Sequence, residues 1–190
     1  MTLKLALIGE LKMANTWKKI ASKQVYKNPF FSVEESDVIQ PDGRQSVYYT
    51  VLGRTGVGVI AYDGKKVLMV NQYRIPLDRR VWSFVSGGAE NDDLLADAQR
   101  ELKEETGFTA KKWTRLGGFP TNPSMSTQVS CLFLAEQLSE GEHQRESGEQ
   151  DMQYKFFTLD EVDELIAKGE LSSFDITDFY LLQQHLKKSI

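Results

Sequence analysis

Short apolar runs separated by polar turns extend through most of the chain, and this pattern predicts a series of β-strands. The clearest pair covers residues 56–62 and 66–73, which are joined by Asp63-Gly64, a strong signal for a tight hairpin turn. An earlier pair meets at Pro41-Asp42-Gly43 and follows a Lys-containing segment that begins an extended arm at Trp17. The strands predicted outside the first pair cover residues 30–39, 46–52, 81–85, 113–119, 129–136 and 153–158.

Three helices are predicted between and after these strands. The first spans residues 93–106 and ends at Gly107, a typical helix-terminating residue. Thr158 and Glu161 have the spacing of a capping box, which predicts a second helix start, and the last helix covers about residues 175–188. Together these elements predict an α/β or α+β fold, with helices on both sides of a mixed central sheet and an N-terminal β arm.

The chain is expected to comprise two parts. Residues 1–52 are predicted to be an N-terminal extension with a β-hairpin arm, and residues 53–190 are predicted to be the main domain. The sequence leaves open whether Met1 or Met13 is the true start.

Composition and charge argue against two classes of partner. The 190 residues carry a formal net charge of -4, and their Lys and Arg residues are scattered, so the chain lacks the basic surface that binds nucleic-acid backbones. No run approaches the roughly 18 apolar residues that are needed to span a bilayer. We therefore expect neither a nucleic acid nor a membrane as a partner.

The single cysteine, Cys131, lies in an apolar run and is predicted to be a buried strand thiol. Because one cysteine cannot form an internal disulfide, the sequence fits a reducing compartment. We expect the protein to be cytoplasmic.

The most informative segment is Ser86-Gly87-Gly88 followed by the acidic helix that carries Glu101, Glu104 and Glu105. These three carboxylates fall within one turn of each other on a helix. Two carboxylates about 5 Å apart repel by roughly 3 kcal/mol at an effective dielectric of about 20. The group is therefore either a solvated face with pairs such as Arg100–Glu104, or a cation site. Hard oxygen ligands of this kind suit Mg²⁺ or Mn²⁺ and phosphate chemistry.

The segment from Arg100 to Phe108, Arg-Glu-Leu-Lys-Glu-Glu-Thr-Gly-Phe, resembles the second half of the Nudix box at every defined position. The first half departs from that pattern. Counting back from Arg100 places Asp92 at the acidic position and Ser86 at the glycine position. Counting forward from Gly87 places Asp93 at the acidic position with one residue missing. A one-residue deletion explains both counts and leaves the acidic residue open.

The resemblance implies a Nudix-type α/β/α sandwich in which residues 53–190 form the Nudix hydrolase domain. It further implies that Glu101 and Glu105 are the principal metal ligands and that Glu104 is a third ligand or a water-mediated contact. A backbone carbonyl near Ser86 or Gly87 would complete the metal shell.

By the same resemblance, Arg100 would orient the catalytic carboxylates through salt bridges. The catalytic set is therefore expected to be Arg100, Glu101, Glu104 and Glu105. The implied cofactor is Mg²⁺, with Mn²⁺ as an alternative.

Three further features resemble the ADP-ribose pyrophosphatase and nucleotide-sugar branch of the family. Arg74, in Gln72-Tyr73-Arg74, would contact substrate phosphate, although an exposed arginine at a strand end explains the same residue. Pro123 falls where the branch carries a proline in its substrate loop. The arm implies a homodimer. The substrate-binding residues expected from these features and from the glycine segment are Arg74, Gly87, Gly88, Pro123 and Gln128.

One position departs from the branch. An acidic residue implicated in catalysis usually follows the substrate-loop proline by about five places, but this chain has Gln128 there. Glutamine cannot act as a general base. Either an acid from the polar segment (Glu146, Glu149 or Asp151) takes that role, or the substrate differs.

The function expected from the resemblance is Mg-dependent hydrolysis of a nucleoside diphosphate sugar, ADP-ribose first, to a nucleoside monophosphate and a sugar phosphate. One alternative is a non-catalytic nucleotide-sugar sensor on the same fold. Another is a hydrolase for a different nucleoside diphosphate derivative, such as GDP-mannose. A decapping or mutagenic-nucleotide hydrolase is less favoured, because the basic surface for RNA is missing.

Overall fold

The computed structural model of the chain describes residues 16–90, 92–145 and 150–188. Residues 1–15, which contain both alternative starts, lie outside the described residues. The chain divides into two units, Met1–Gly53 and Arg54–Ile190, and each is considered by itself.

The first unit is a three-stranded antiparallel sheet in the order β1-β2-β3, formed by β1 (Lys18–Lys27), β2 (Phe31–Ile39) and β3 (Gln45–Gly53). The predicted turn between β2 and β3 forms, with Gly43 at a φ of 88°, where the lack of a Cβ avoids strain. Much of the sheet's apolar surface is exposed. The exposed large apolar side chains of this unit are Trp17, Ile20, Val25, Tyr26, Phe30, Phe31, Val47, Tyr48 and Tyr49.

The second unit is built on a mixed sheet flanked by helices. Its strands are β4 (Gly56–Tyr62), β5 (Lys66–Arg74), β6 (Arg79–Ser83), β7 (Val85–Gly88), β8 (Thr109–Pro120), β9 (Val129–Ser139) and β10 (Gln153–Thr158). The main path runs β10-β5-β4-β9-β8, with β6 paired to β5 and β7 paired to β4. Only the β4–β9 pair is parallel among the pairings of the described strands.

The sheet forks between β4 and β5, and the fork corrects one sequence expectation. These two strands pair only at Ala61 and Tyr62 of β4, after which β6 continues beside β5 and β7 continues beside β4. The single strand predicted at 81–85 is therefore wrong, because the chain changes partner strand at Phe84. The Phe84 N–H lies outside either ladder and donates to the buried Asp175 carboxylate at 2.9 Å.

Helices cover both faces of this sheet. The helix α1 (Leu94–Thr106) buries Ala98 and Leu102 against one face. On the opposite face, α2 (Leu159–Ala167) and α3 (Ser173–Lys188) bury side chains that include Val162, Phe179 and Leu182. Each large apolar side chain buried in this way contributes about 2 kcal/mol by removal from water. The predicted fold class is confirmed.

The helix ends follow local sequence signals. Asp93 caps α1 by accepting from the backbone N–H groups of Leu95 and Ala96, both at 3.1 Å. Gly107 ends the helix at a φ of 81°. Thr158 and Glu161 form the predicted capping box of α2. Among the described helices, none has the length and apolar character needed to cross a membrane.

Candidate active site

Arg100 joins the acidic side chains on one face of α1. Its Nη1 donates to Glu104 Oε2 at 2.6 Å, and its Nη2 donates to Glu101 Oε1 at 2.7 Å. The buried Asp97 carboxylate lies 3.7 Å from Nη2. Burial lowers the pKa of Arg100, but the adjacent Glu101 and Glu104 raise that pKa to a value well above the ordinary one. The guanidinium therefore holds a fixed positive charge between two carboxylates.

Gly87 makes room for one of these carboxylates. A Cβ placed on Gly87 would lie 1.9 Å from Glu101 Oε1, so the Glu101 carboxylate rests directly against the backbone of β7. A Cβ on the neighbouring Gly88 would meet nothing within 4 Å, while the Gly88 carbonyl accepts a 3.4 Å hydrogen bond from Arg100. The glycine segment is a strand paired with β4.

A segment after β9 supports the C-terminal end of α1. Arg145 Nε donates to the Glu105 carbonyl at 2.7 Å, and its Nη1 donates to the Met152 carbonyl. The Gln144 N–H donates to the Glu104 carbonyl at 3.0 Å. Cationic side chains at a helix C-terminus also interact favourably with the helix dipole. Sequence reasoning missed Arg145 because its segment is almost wholly polar and gives no local sign of a contact with α1.

The donors on α1 suit a hard divalent cation in their chemistry, since they are carboxylate oxygens beside strand backbone. Glu105 is only 4% exposed, and Glu101 reaches the β7 backbone over Gly87. As placed, Glu101 and Glu104 face Arg100. Within the described ranges, no three His, Cys, Asp or Glu side chains converge as a metal-binding group. The residues present therefore fit the cofactor by ligand type, and Glu101 and Glu104 would have to turn away from Arg100 to gather around it.

A cavity of about 680 Å³ opens beside the same strand. Ser86 lines it, whereas the next residue, Gly87, faces Glu101, as expected from the alternation of side chains along a strand. The cavity thus adjoins the acidic helix across β7. Its lining residues include Arg74, Arg79, Trp82, Phe84, Ser86, Gln128, Glu170, Leu171, Phe174, Asp175 and Asp178.

Two arginines contribute positive charge to this cavity. Arg74 and Arg79 are opposite each other in the β5–β6 register. Neither makes an ion pair with another residue of the described part of the chain. Exposed guanidinium groups with free donors are suited to binding phosphate.

The carboxylates Asp175 and Asp178 contribute negative charge, and both are buried on α3. Asp175 accepts from Phe84 N and from the Ser172 N–H and hydroxyl. Burial raises the pKa of Asp175 in spite of these hydrogen bonds. Burial, followed by repulsion from Asp175, raises the pKa of Asp178 to about 8. Sequence reasoning missed the pair, because two acidic residues three apart on a helix are usually solvated.

Gln128 and Pro123 have different surroundings. Gln128 lines the cavity. A Cβ on Gly56 would lie 3.9 Å from Gln128 Nε2 and 3.6 Å from the Gly87 carbonyl oxygen. Pro123 lies in an exposed turn, in which the Ser126 N–H donates to the Asn122 carbonyl at 2.8 Å. The structure brings Gln128 to the cavity but leaves Pro123 outside its lining.

The acidic residues considered as a general base are only partly described. Glu146 and Glu149 lie outside the described residues. Asp151 accepts from Arg80 Nη1 at 2.5 Å. Of the two residues considered for the acidic box position, Asp93 caps α1, whereas Asp92 lines a shallow depression with Arg54 and Glu90.

Comparison with known proteins identifies the family to which this site belongs. A NUDIX domain model matches residues 52–178, a range that contains α1, β7 and the cavity. The chain belongs to the NUDIX family. A second model, described as a nucleoside diphosphate sugar hydrolase N-terminal domain, matches residues 17–51.

Two sequence relatives and one solved structure show what this Nudix chain is similar to. It is 34% identical over 169 residues to the ADP-ribose pyrophosphatase of Bacillus subtilis (strain 168), covering 87% of this chain and 90% of the relative. It is 32% identical over 128 residues to the methanol dehydrogenase activator of Bacillus methanolicus, covering 66% and 69% respectively. A crystal structure of an ADP compounds hydrolase matches with a TM-score of 0.84 at 20% identity, covering 94% of this chain and 98% of the other. At this identity the structural match establishes the fold.

Proposed function

We propose that this chain hydrolyses the pyrophosphate of a nucleoside diphosphate sugar, ADP-ribose first, to a nucleoside monophosphate and a sugar phosphate. The chain is a Nudix pyrophosphohydrolase. The choice of ADP-ribose draws on the relative from Bacillus subtilis, which is named for that activity.

The observation that carries the proposal is the position of the Glu101 carboxylate. It lies against the Gly87 backbone, one residue along β7 from the cavity that Arg74 and Ser86 line. A diphosphate bound by Arg74 would therefore lie across β7 from Glu101, one strand away from the acidic helix. This arrangement combines a phosphate-binding cation with a carboxylate cluster, as hydrolysis of a phosphoanhydride requires.

Nudix hydrolases generally use divalent metal ions, and we propose Mg²⁺ here, with Mn²⁺ as an alternative. Glu101 and Glu105 would hold the ion as principal ligands, with Glu104 and the Ser86 carbonyl completing the set. When bound, the ion supplies Lewis acidity at the phosphate group.

The chain's own residues position and polarise the substrate. Arg100 orients Glu101 and Glu104 through its two short hydrogen bonds, and Arg74 binds phosphate oxygen. Gly87 and Gly88 let the substrate approach the β7 backbone. We assign Pro123 to the substrate loop and Gln128 to substrate binding.

We propose that a carboxylate from the polar segment removes a proton from the attacking water, since the Gln128 amide cannot act as a general base. The choice is among Glu146, Glu149 and Asp151. Asp151 would first have to leave the Arg80 guanidinium, with which it forms an ion pair.

The arm is proposed to mediate a homodimer. Residues 1–52 would form this arm with its extension, and 53–190 the catalytic domain. Exposed aromatic side chains such as Trp17 and Tyr48, which contact each other at 6.0 Å between ring centroids, are typical of a protein interface. Sedimentation of the wild type should give twice the chain mass, and a Tyr49→Lys variant should shift the distribution towards monomer. A monomeric wild type would contradict the dimer.

The proposed partners are small-molecule nucleotide sugars, with no nucleic acid and no membrane, and the proposed location is the cytoplasm. The buried single thiol, Cys131, fits a reducing compartment.

A substrate panel tests the function. ADP-ribose, GDP-mannose, UDP-glucose and free nucleoside triphosphates are incubated with the protein and Mg²⁺, and the products are identified by mass. AMP and ribose 5-phosphate from ADP-ribose are expected. Tight ADP-ribose binding without any phosphate-monoester product would instead indicate the non-catalytic sensor.

A further inference from the structure

Asp178 is a buried carboxylate in the cavity wall that the proposed hydrolysis does not use. The residue is 3% exposed and lines the 680 Å³ cavity. Its Oδ1 atom has no hydrogen-bond partner among the residues that the structure describes. Buried polar atoms are nearly always hydrogen-bonded, so an exception requires an explanation.

The fold keeps space for this carboxylate at a specific point. A Cβ on Gly58, in β4, would lie 3.2 Å from Asp178 Oδ2. Oδ2 therefore packs against the sheet, while Oδ1 is the oxygen left over. The neighbouring Asp175 is different, since both of its oxygens accept hydrogen bonds from Phe84 and Ser172.

The charges around the cavity indicate the chemistry of its ligand. Arg74 and Arg79 supply cations from β5 and β6, whereas Glu170, Asp175 and Asp178 supply carboxyl groups from the α2–α3 segment and α3. A ligand with an anionic group and a hydrogen-bonding neutral group matches both sets. A hydroxyl group both donates and accepts, so it pairs with a carboxyl group in either protonation state.

We propose that Asp178 binds a hydroxyl group of the sugar in the nucleoside diphosphate sugar and thereby helps to select the sugar-phosphate half of the substrate. Arg74 and Arg79 bind the phosphate that the sugar carries, and the hydroxyl pairs with the Asp178 carboxyl group, which turns about its Cβ–Cγ bond to meet it because Oδ1 has almost no accessible surface as placed. This inference rests on the proposed function, but it concerns binding of one half of the substrate and is tested without turnover.

The test measures binding of the separate halves by calorimetry in EDTA. The probes are ribose 5-phosphate and glucose 1-phosphate for the sugar half and AMP for the nucleoside half. The variant Asp178→Leu removes the carboxyl group at similar volume, and Asp178→Asn retains one acceptor. Asp163→Asn removes an exposed carboxylate from α2 and serves as the matched control.

We expect the wild type to bind at least one sugar phosphate, and Asp178→Leu to weaken that binding about tenfold or more. Asp178→Asn should lose less, AMP affinity should change less than about twofold, and the control should resemble the wild type. A melting curve for each variant establishes that it is folded. Gly58→Ala provides a second route, because its Cβ pushes on Oδ2 without changing any charge, and it should weaken the sugar phosphate selectively.

Three results would overturn the inference: no binding of either sugar phosphate to the wild type, unchanged binding in folded Asp178→Leu, or equal weakening of AMP. Failure of the proposed function is distinguishable. If ADP-ribose is not hydrolysed but sugar-phosphate binding still depends on Asp178, the subsite stands and the catalytic proposal fails.

Discussion

Acidic side chains occur on both faces of the larger sheet, but their surroundings differ. On the α1 face, Glu101 and Glu104 lie within 2.7 Å of Arg100 nitrogens, so both carboxylates have a cationic partner. On the α3 face, Asp178 is buried beside Asp175, with one oxygen lacking a described partner. The first group is a cluster of paired charges, whereas the second contains a carboxyl group that burial keeps partly protonated near neutral pH.

The two acidic groups are expected to respond differently when their residues are replaced. A paired cluster such as that around Arg100 costs little as it stands, and its disruption should affect chemistry first. An unpartnered buried carboxyl group costs stability at a pH where it would otherwise ionise, and its removal should then make the protein more stable while weakening binding. Variants on the two faces are therefore expected to change activity and stability in different combinations.

The largest effect is expected on the α1 face from Glu105→Gln. Loss of a ligand carboxylate should lower kcat on ADP-ribose by about a thousandfold, which corresponds to several kcal/mol of transition-state stabilisation. The melting temperature should stay close to that of the wild type. Release of AMP measures the rate, and Glu164→Gln, on the exposed surface of α2, is the control. Unchanged turnover in Glu105→Gln would contradict the assignment.

Gly87→Ala is expected to lower turnover by about a hundredfold. Its Cβ would lie 1.9 Å from Glu101 Oε1, so the carboxylate must swing away, and a displacement of about 1 Å costs up to that factor. The fold should survive, because the clash is with the end of a flexible side chain. Gly88→Ala, which meets nothing within 4 Å, should lose far less. Equal losses in the two variants would show that the packing against Glu101 is unimportant.

On the α3 face, Asp178→Asn is expected to raise stability. The pKa of Asp178 in the folded protein, about 8, is above its ordinary value of 3.8. The protonated carboxyl group therefore makes its full contribution to the free energy of unfolding below pH 3.8, and that contribution is lost as the pH rises through 8. Relief of the penalty should amount to about 2 kcal/mol, or roughly 5 °C in Tm, at pH 8. The gain should vanish near pH 4. Melting curves across that range measure it, and a variant less stable than the wild type at pH 8 would contradict the raised pKa.

The smallest effect is expected for Arg145→Met. Removal of the hydrogen bonds to the Glu105 and Met152 carbonyls should loosen the end of α1 and lower kcat about fivefold, with little change in KM. Lys168→Met, which removes an exposed cation on the surface, should leave kcat unchanged. If KM rises while kcat holds, Arg145 contacts substrate instead of supporting the helix.

Local signals predicted much of the fold. Gly107 and the Thr158–Glu161 box mark helix ends, and Asp63-Gly64 marks a turn that forms with Gly64 at a φ of 101°. Each signal works within a few residues of its own position, so it can be identified in one sequence. The positions of the α1 carboxylates were predictable for the same reason, because they follow from helical spacing alone.

The parts that were missed depend on distant residues. The change of partner strand at Phe84 is fixed by a hydrogen bond to Asp175, which is 91 positions away, and the apolar run around Phe84 contains no sign of a break. Asp178 faces Gly58 across the core, although its helical spacing from Asp175 resembles that of a solvated face. Such groups become visible only when the tertiary packing is known.

The central claim is that the α1 carboxylates bind a divalent cation for phosphoanhydride hydrolysis. Calorimetric titration of Mg²⁺ and Mn²⁺ into the wild type and into the double variant Glu101→Gln/Glu105→Gln tests it most directly. The account predicts saturable uptake by the wild type that is lost in the folded double variant. No uptake by the wild type, with or without a nucleotide ligand, would contradict it.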